Sequence, residues 1–286
     1  MIGDREMSSE RNFMEMLKKQ WEKGHFVCVG LDSDHAKIPE VLLGSTVCGA
    51  VSRFNQRIID ATSGLVCAYK PNIAFYAKHG DSGMLALKAT IEYIKKVAPD
   101  VPVILDAKRA DIGNTNTGYV GEVFSYYGAD AVTVNPYFGK EALQPFLRMK
   151  EKGIIVLCRT SNPGAGEFQD LLIGGYAPLY QIVARHVAEE WNSNGNCMLV
   201  VGVGATCLEE LTKVRKIVGD MPILIPGIGK QGGDVEKTVK AGKDSQGGGI
   251  IINSSRKIIF ASNGPDFAEA ACRETQKLHD EISKYL

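Results

Sequence analysis

The stretch Val101-Pro-Val-Ile-Leu-Asp106-Ala-Lys108-Arg-Ala-Asp111-Ile-Gly-Asn-Thr115 joins an apolar run to charges of alternating sign. Residues 101–105 are rich in Val, Ile and Leu after Pro99, which predicts a buried strand ending near Asp106. Gly113-Asn-Thr115 then breaks the chain ahead of a segment with helical spacing. Asp106 and Lys108 stand two apart, so on a strand their side chains share one face. Asp111 falls in the turn beyond, where it either closes over the same site or reaches a neighbouring subunit. Taken alone, the stretch is also compatible with a solvated surface turn.

The same unit recurs along the chain. Short Val/Ile/Leu-rich runs at 26–31, 65–70, 101–106, 130–134, 153–158, 197–202, 222–226 and 249–253 are candidate strands. Segments with helical spacing lie between them at 47–62, 83–97, 114–127, 139–151, 176–192, 207–218 and 233–242, and a closing helix is expected at 265–284. Strands each followed by a helix, at roughly 30–40 residues per unit, predict an α/β fold of the (β/α)8 TIM barrel type. A doubly wound open sheet gives a similar local pattern and is the alternative. No Pro/Ser linker or charge block splits the chain, so residues 1–286 are expected to form one barrel domain, with 1–24 a helical extension and 25–286 the barrel. Residues 10–23 carry apolar side chains at 13, 14, 17 and 21 and end at Gly24, a stripe suited to covering the barrel bottom. The longest irregular stretch, Arg159 to Gly175, follows the fifth strand and is either a lid or an insertion.

Composition narrows the partners. Lys+Arg and Asp+Glu both number 33, so no net charge draws the chain to nucleic acid or an anionic membrane. The 7 cysteines are odd in number and scattered without a C-x-x-C, the pattern of reduced thiols in a cytoplasmic protein. The 5 histidines lack H-x-x-x-H spacing, so a histidine-based metal site is not expected. The N-terminal residues are charged without an apolar core, and no apolar run reaches membrane-spanning length.

Polar residues gather at the expected strand ends: Asp32 and Asp34, Lys70 and Asn72, Asp106, Lys108 and Asp111, Asn135, Arg159 and Ser161, and Arg256. In a barrel these ends converge on the face that carries catalysis. Lys70 by itself reads equally well as a lysine snorkelling at a strand end. The segment Pro226-Gly-Ile-Gly-Lys-Gln231-Gly-Gly-Asp234 contains a G-x-G-x-x-G match at Gly227, Gly229 and Gly232. A dinucleotide site is rejected, because only one strand follows and the acidic residue about 20 positions on is missing. The better reading is a phosphate cradle of backbone N–H groups at a helix start, with Arg256 adding a bidentate grip. A glycine-rich turn with a surface arginine is the plain alternative.

The pieces Gly30-Leu-Asp32, Tyr69-Lys70-Pro-Asn72, Asp106-Ala-Lys108-Arg-Ala-Asp111-Ile-Gly-Asn-Thr115, Thr160-Ser161-Asn-Pro-Gly164, Pro226-Gly-Ile-Gly-Lys-Gln231-Gly-Gly and Ser255-Arg256 occur in that order. Together they resemble the orotidine 5'-monophosphate decarboxylase family over nearly the whole chain after residue 25. The resemblance implies cofactor-free decarboxylation of orotidine 5'-monophosphate to uridine 5'-monophosphate in pyrimidine biosynthesis, by a homodimeric barrel. It also implies a charged array of Lys70, Asp106, Lys108 and Asp111, with Asp111, Ile112 and Thr115 supplied across the dimer interface. By the same resemblance Asp32 and Asn72 sit near the ribose or the array, and Ser161 near the pyrimidine. Gly229, Gln231, Gly232 and Arg256 are assigned to the phosphate. Lys230 and Lys257 depart from the family pattern by adding charge beside that site.

These residue types suit the chemistry. Loss of CO2 from pyrimidine C6 leaves an electron pair in the ring plane, so a fixed cation at C6 can stabilise it and then protonate it, the role implied for Lys108. Repulsion of the substrate carboxylate by Asp106 is a secondary effect. Metal-dependent sugar-phosphate barrels share the D-x-K-x-x-D motif but place an acid where Lys70 stands. A Schiff-base aldolase and a non-catalytic nucleotide-phosphate binder are the remaining alternatives.

Overall fold

The computed structural model describes residues 11–44, 46–203, 208–228 and 234–286. Its parallel strands are β1 (Val27–Leu31), β2 (Val66–Pro71), β3 (Ile104–Arg109), β4 (Ala131–Val134), β5 (Gly153–Arg159), β6 (Cys197–Val201), β7 (Ile223–Pro226) and β8 (Ile250–Ser254). They hydrogen-bond in the order β2-β1-β8-β7-β6-β5-β4-β3. Parallel bridges Tyr69↔Val103 and Asn72↔Asp106 join β2 to β3 and close the ring. The doubly wound alternative is thereby excluded, since an open sheet keeps two free edges.

The outer helices follow the expected spacing, from Val47–Thr62 after β1 to Phe267–Ser283 after β8. Thr46 caps the first of these through its side chain, accepting from the Gly49 N–H at 3.2 Å. Several boundaries differ from expectation, among them ends of β3 and of the helices after β4 and β5. β3 runs to Arg109, because Arg109 pairs with Val134 of β4 beyond an irregularity that starts at Leu105. The helix expected from 176 begins at Leu179, because Ala177–Pro178 first pairs with Leu172–Ile173 in a small antiparallel hairpin. The helix expected to 151 ends at Leu147.

Two apolar cores result from the period-two alternation of the strands. Val27, Val29, Leu31, Val132, Val134 and Ile252 belong to the outer core beneath the helices. Cys28, Ala68, Ile104, Ala131, Ile155, Met198, Leu224 and Ile251 fill the barrel together with Phe13 and Leu17 of helix Phe13–Glu22. That helix plugs the barrel bottom, and Gly153 admits it: a Cβ there would lie 2.3 Å from Phe13 Cδ1. Arg11 anchors its start on Asp130 at 2.8 Å, and Trp21 Nε1 donates to the Ile250 carbonyl at 3.0 Å. That helix closes the bottom, and the polar cavity lies at the opposite end, at the strand C-termini.

Candidate active site

Two residues beyond the apolar layer, the inward positions turn polar. Ala68 is followed by Lys70, Ile104 by Asp106, Ala131 by Thr133 and Ile251 by Asn253. Lys70 Nζ lies 3.0 Å from Asp106 Oδ2, and Lys108 Nζ lies 2.6 Å from Asp106 Oδ1. Thr133 Oγ1 donates to the same Oδ1 at 2.9 Å and accepts from the Lys108 backbone N–H at 3.0 Å. Arg109, of opposite parity, turns away and grips Glu122 through two guanidinium nitrogens at 3.0 and 2.7 Å.

Lys70 and Asp106 are only 4% and 8% exposed, so each needs the other's charge. At about 3 Å and an effective dielectric near 20, such a pair attracts by roughly 5 kcal/mol, offset by the cost of desolvating both groups. Burial alone would raise the Asp106 carboxyl, yet Lys70 and Lys108 outweigh it and hold it well below the usual carboxylate range. Burial likewise disfavours the Lys70 ammonium, but Asp106 and Asp32 more than compensate and push it above the ordinary lysine range. The buried Cys28 thiol beneath is pushed up to about 12 by burial and takes no part as a thiolate.

Lys108 is the only non-glycine among the described residues with positive φ, at 47°. A left-handed backbone at an L-residue costs about 1–2 kcal/mol and persists where the surroundings impose it. Here the irregularity between Leu105 and Arg109 in the β3–β4 pairing imposes it, and the Lys108 side chain stands half-exposed above Asp106.

Asp32, Lys70, Asn72, Asp106, Ser161 and Arg256 line one cavity of about 230 Å³ with Asn253 and Ser255. Asp32 Oδ1 and Asn253 Oδ1 are buried there with no hydrogen-bond partner among the described residues. Gly202 brings β6 against Ser161: a Cβ at 202 would lie 2.9 Å from the Ser161 nitrogen. Pro226, Gly227 and Ile228 form the near wall, while Gly229, Gln231 and Gly232 lie outside the described residues. Arg256 starts the short helix Arg256–Ile259, is exposed, and makes no ion pair among the described residues. A larger groove of about 1150 Å³ lies between outer helices and is lined by surface groups such as Arg57, Asp60 and Arg273, far from the convergent strand ends.

Asp111 does not join this cavity within its own chain. Its Oδ1 accepts from the Ile112 N–H at 2.7 Å, and Asn116 holds the turn by accepting from the Asp111 N–H at 3.0 Å. Ile112 and Thr115 are exposed on the rim. Thr133 and Asn253 are site residues that motif reading missed. Each is a single polar residue at an inward position of an apolar strand, the same signal that marks Asp106.

The profile of the orotidine 5'-phosphate decarboxylase / HUMPS family matches residues 25–271. A relative named orotidine 5'-phosphate decarboxylase from Cellvibrio japonicus is 50% identical over 273 residues, covering 95% of this chain and 98% of that protein. One of the same name from Cupriavidus metallidurans is 50% identical over 274 residues, covering 96% and 98%. Among solved structures, Leishmania donovani OMP decarboxylase superposes with a TM-score of 0.79 at 35% identity, covering 94% of this chain and 99% of that one. With a buried Lys70–Asp106 pair that carries the half-exposed Lys108 at the mouth of a closed barrel, and likeness running nearly end to end, the chain belongs to the orotidine 5'-phosphate decarboxylase / HUMPS family.

Proposed function

We infer that this chain is a carboxy-lyase that decarboxylates orotidine 5'-monophosphate to uridine 5'-monophosphate in pyrimidine biosynthesis. The observation that carries the reading is the array Lys70–Asp106–Lys108, in which Lys70 and Asp106 line the cavity and Asp106 holds the half-exposed Lys108 beside it. In the reaction the C6–carboxylate bond breaks, CO2 leaves, and the electron pair stays on C6 in the ring plane. The Lys108 ammonium stabilises that pair and then transfers a proton to it, after which solvent reprotonates the amine. Asp106 and Lys70 hold Lys108 in place, so little reorganisation is needed at the moment of reaction.

Asp32 and Asn72 are assigned to the ribose side of the cavity and Ser161 to the pyrimidine, in keeping with their place in its wall. Asp111, Ile112 and Thr115 are assigned to the site of a second subunit. Ile112 at 61%, Tyr137 at 84% and Phe138 at 53% exposure leave apolar surface on the loops after β3 and β4, which supports burial against another copy. A cytoplasmic location is supported by the described cysteines, all of them free. No helix among the described residues is long and apolar enough to cross a membrane.

The test is loss of orotate-type absorbance on incubating the protein with orotidine 5'-monophosphate in the presence of a chelator. Turnover is expected to survive the chelator. Binding without CO2 release would leave a nucleotide-phosphate binder, and chelator-sensitive turnover would move the chain to the metal-dependent sugar-phosphate branch.

Arg256 and the loop after β7 are assigned to the phosphate. Losing a charge-assisted grip of about 1.5–3 kcal/mol predicts that Arg256→Ala raises KM by roughly 10- to 150-fold. Competition by uridine 5'-monophosphate against uridine checks it: equal binding of the two by the native protein would sink the phosphate assignment.

A further inference from the structure

Behind Asp32, on the outer face of the barrel, lies a polar cluster none of whose members lines the cavity. Ser33, Asn55 and Thr90 are 0% exposed and Tyr76 is 1% exposed. Asn55 sits at the centre, on helix Val47–Thr62. Its Nδ2 donates to Tyr76 OH at 3.0 Å and to Thr90 Oγ1 at 2.9 Å, and its Oδ1 accepts from Ser33 Oγ at 2.5 Å. Tyr76 OH donates to the Leu31 carbonyl at 3.0 Å, and Thr90 Oγ1 donates to the Ala86 carbonyl at 2.7 Å. Every donor in the cluster has an acceptor, so it is rigid, and removing any member strands a partner.

The cluster grips the chain at Leu31 and Ser33, the two neighbours of Asp32. Leu31 belongs to the outer core, so by strand alternation Asp32 points the other way, into the cavity. There its Oδ1 has no hydrogen-bond partner among the described residues. Asp32 therefore owes its position to the backbone on either side. Tyr76 also lies in the short helix Ala74–Ala77, just after Lys70 and Asn72, so the same hydroxyl ties the end of β1 to the segment leaving β2. An apolar cluster of the same volume would stabilise this interior as well. What the polar one adds is a fixed geometry.

We propose that Asn55, Tyr76 and Ser33 are positioning residues that set the Asp32 carboxylate against Lys70 and the substrate. The inference rests on the assignment of Asp32 to the substrate cavity.

A double-mutant cycle tests it, with kcat/KM measured per folded protein and thermal melts run alongside. Tyr76→Phe should lower kcat/KM by about 10-fold in the native background but by less than about 2-fold when Asp32 is already Asn, because the positioned group is then gone. Ser33→Ala, which removes less volume, should behave alike if Tyr76→Phe proves too unstable, and Ser33→Thr should restore most of the loss. Equal fold-losses in both backgrounds, or a lowered melting temperature with unchanged kcat/KM, would overturn the positioning role while leaving Asp32 in the site. If Asp32→Asn alone keeps kcat/KM within about 2-fold, the assignment of Asp32 fails and the inference falls with it.

Discussion

Replacing Lys108 with Ala is expected to lower kcat by about 10,000-fold or more while leaving the barrel folded. On the proposed role of Lys108 two losses combine: an electrostatic partner for the C6 electron pair, worth roughly 3 kcal/mol, and a proton donor, worth about 100- to 10,000-fold. The fold survives because the Lys108 side chain is half-exposed and belongs to neither apolar core. Its backbone supplies a second, opposite readout. With φ at 47°, Lys108 sits where glycine is at ease and alanine is not. Lys108→Gly should be as inactive as Lys108→Ala yet more stable than it by about 1 kcal/mol, seen as a higher urea midpoint. Substantial turnover in either variant would remove Lys108 as proton donor. Such a pairing, loss of function with relief of strain, is what a strained catalytic residue predicts and a surface lysine does not.

How much of this was legible beforehand depends on the kind of signal each feature leaves. The barrel was legible because strand runs such as 153–158 and 249–253 are apolar on both faces and are bounded by Gly or polar residues, and the ends carry the charges. Lys70 and Asp106 stood out as charges on inward positions of otherwise apolar strands, and Thr133 in Ala131-Val-Thr-Val carries the same mark without a charge to draw notice. The backbone of Lys108 left no trace, because strain of this sort is imposed by the register with β4 and not by the residue type. The cluster around Asn55 was equally silent. Its members come from four separate segments, and each alone reads as an ordinary helix or loop residue. Asp111 shows a third case: its place in the motif is plain, yet among the described residues of one chain its carboxylate reaches only the neighbouring Ile112 N–H.

Asp106→Asn should be the more damaging change to the molecule as a whole. One carboxylate oxygen serves Lys108 and Thr133 and the other serves Lys70, so both are committed. An amide leaves one acceptor and turns an NH2 donor toward a cation. Lys70, almost fully buried, then keeps its charge with only Asp32 nearby, and breaking a buried pair in this way costs about 3–5 kcal/mol. Lys108 loses its anchor at the same time, so kcat is expected to fall by about 1,000-fold, and a loss under tenfold would count against the array.

The pH dependence separates this from generic damage. In the native protein the Asp106 carboxyl lies below its unfolded value, so its contribution is present above about pH 4 and is lost on acidification through the folded value. Lys70 is raised, so its contribution is present below about pH 10 and is lost as pH climbs through the folded value. In Asp106→Asn the acid loss should shrink, since the titrating carboxylate is gone. The alkaline slope should change sign: a buried ammonium without its anion releases its proton more readily folded than unfolded, so stability rises with pH there. Denaturant melts from pH 3 to 11 would read the onset of both limbs, and parallel curves for the native and variant proteins would show that Lys70 and Asp106 are not the coupled pair that holds the site together.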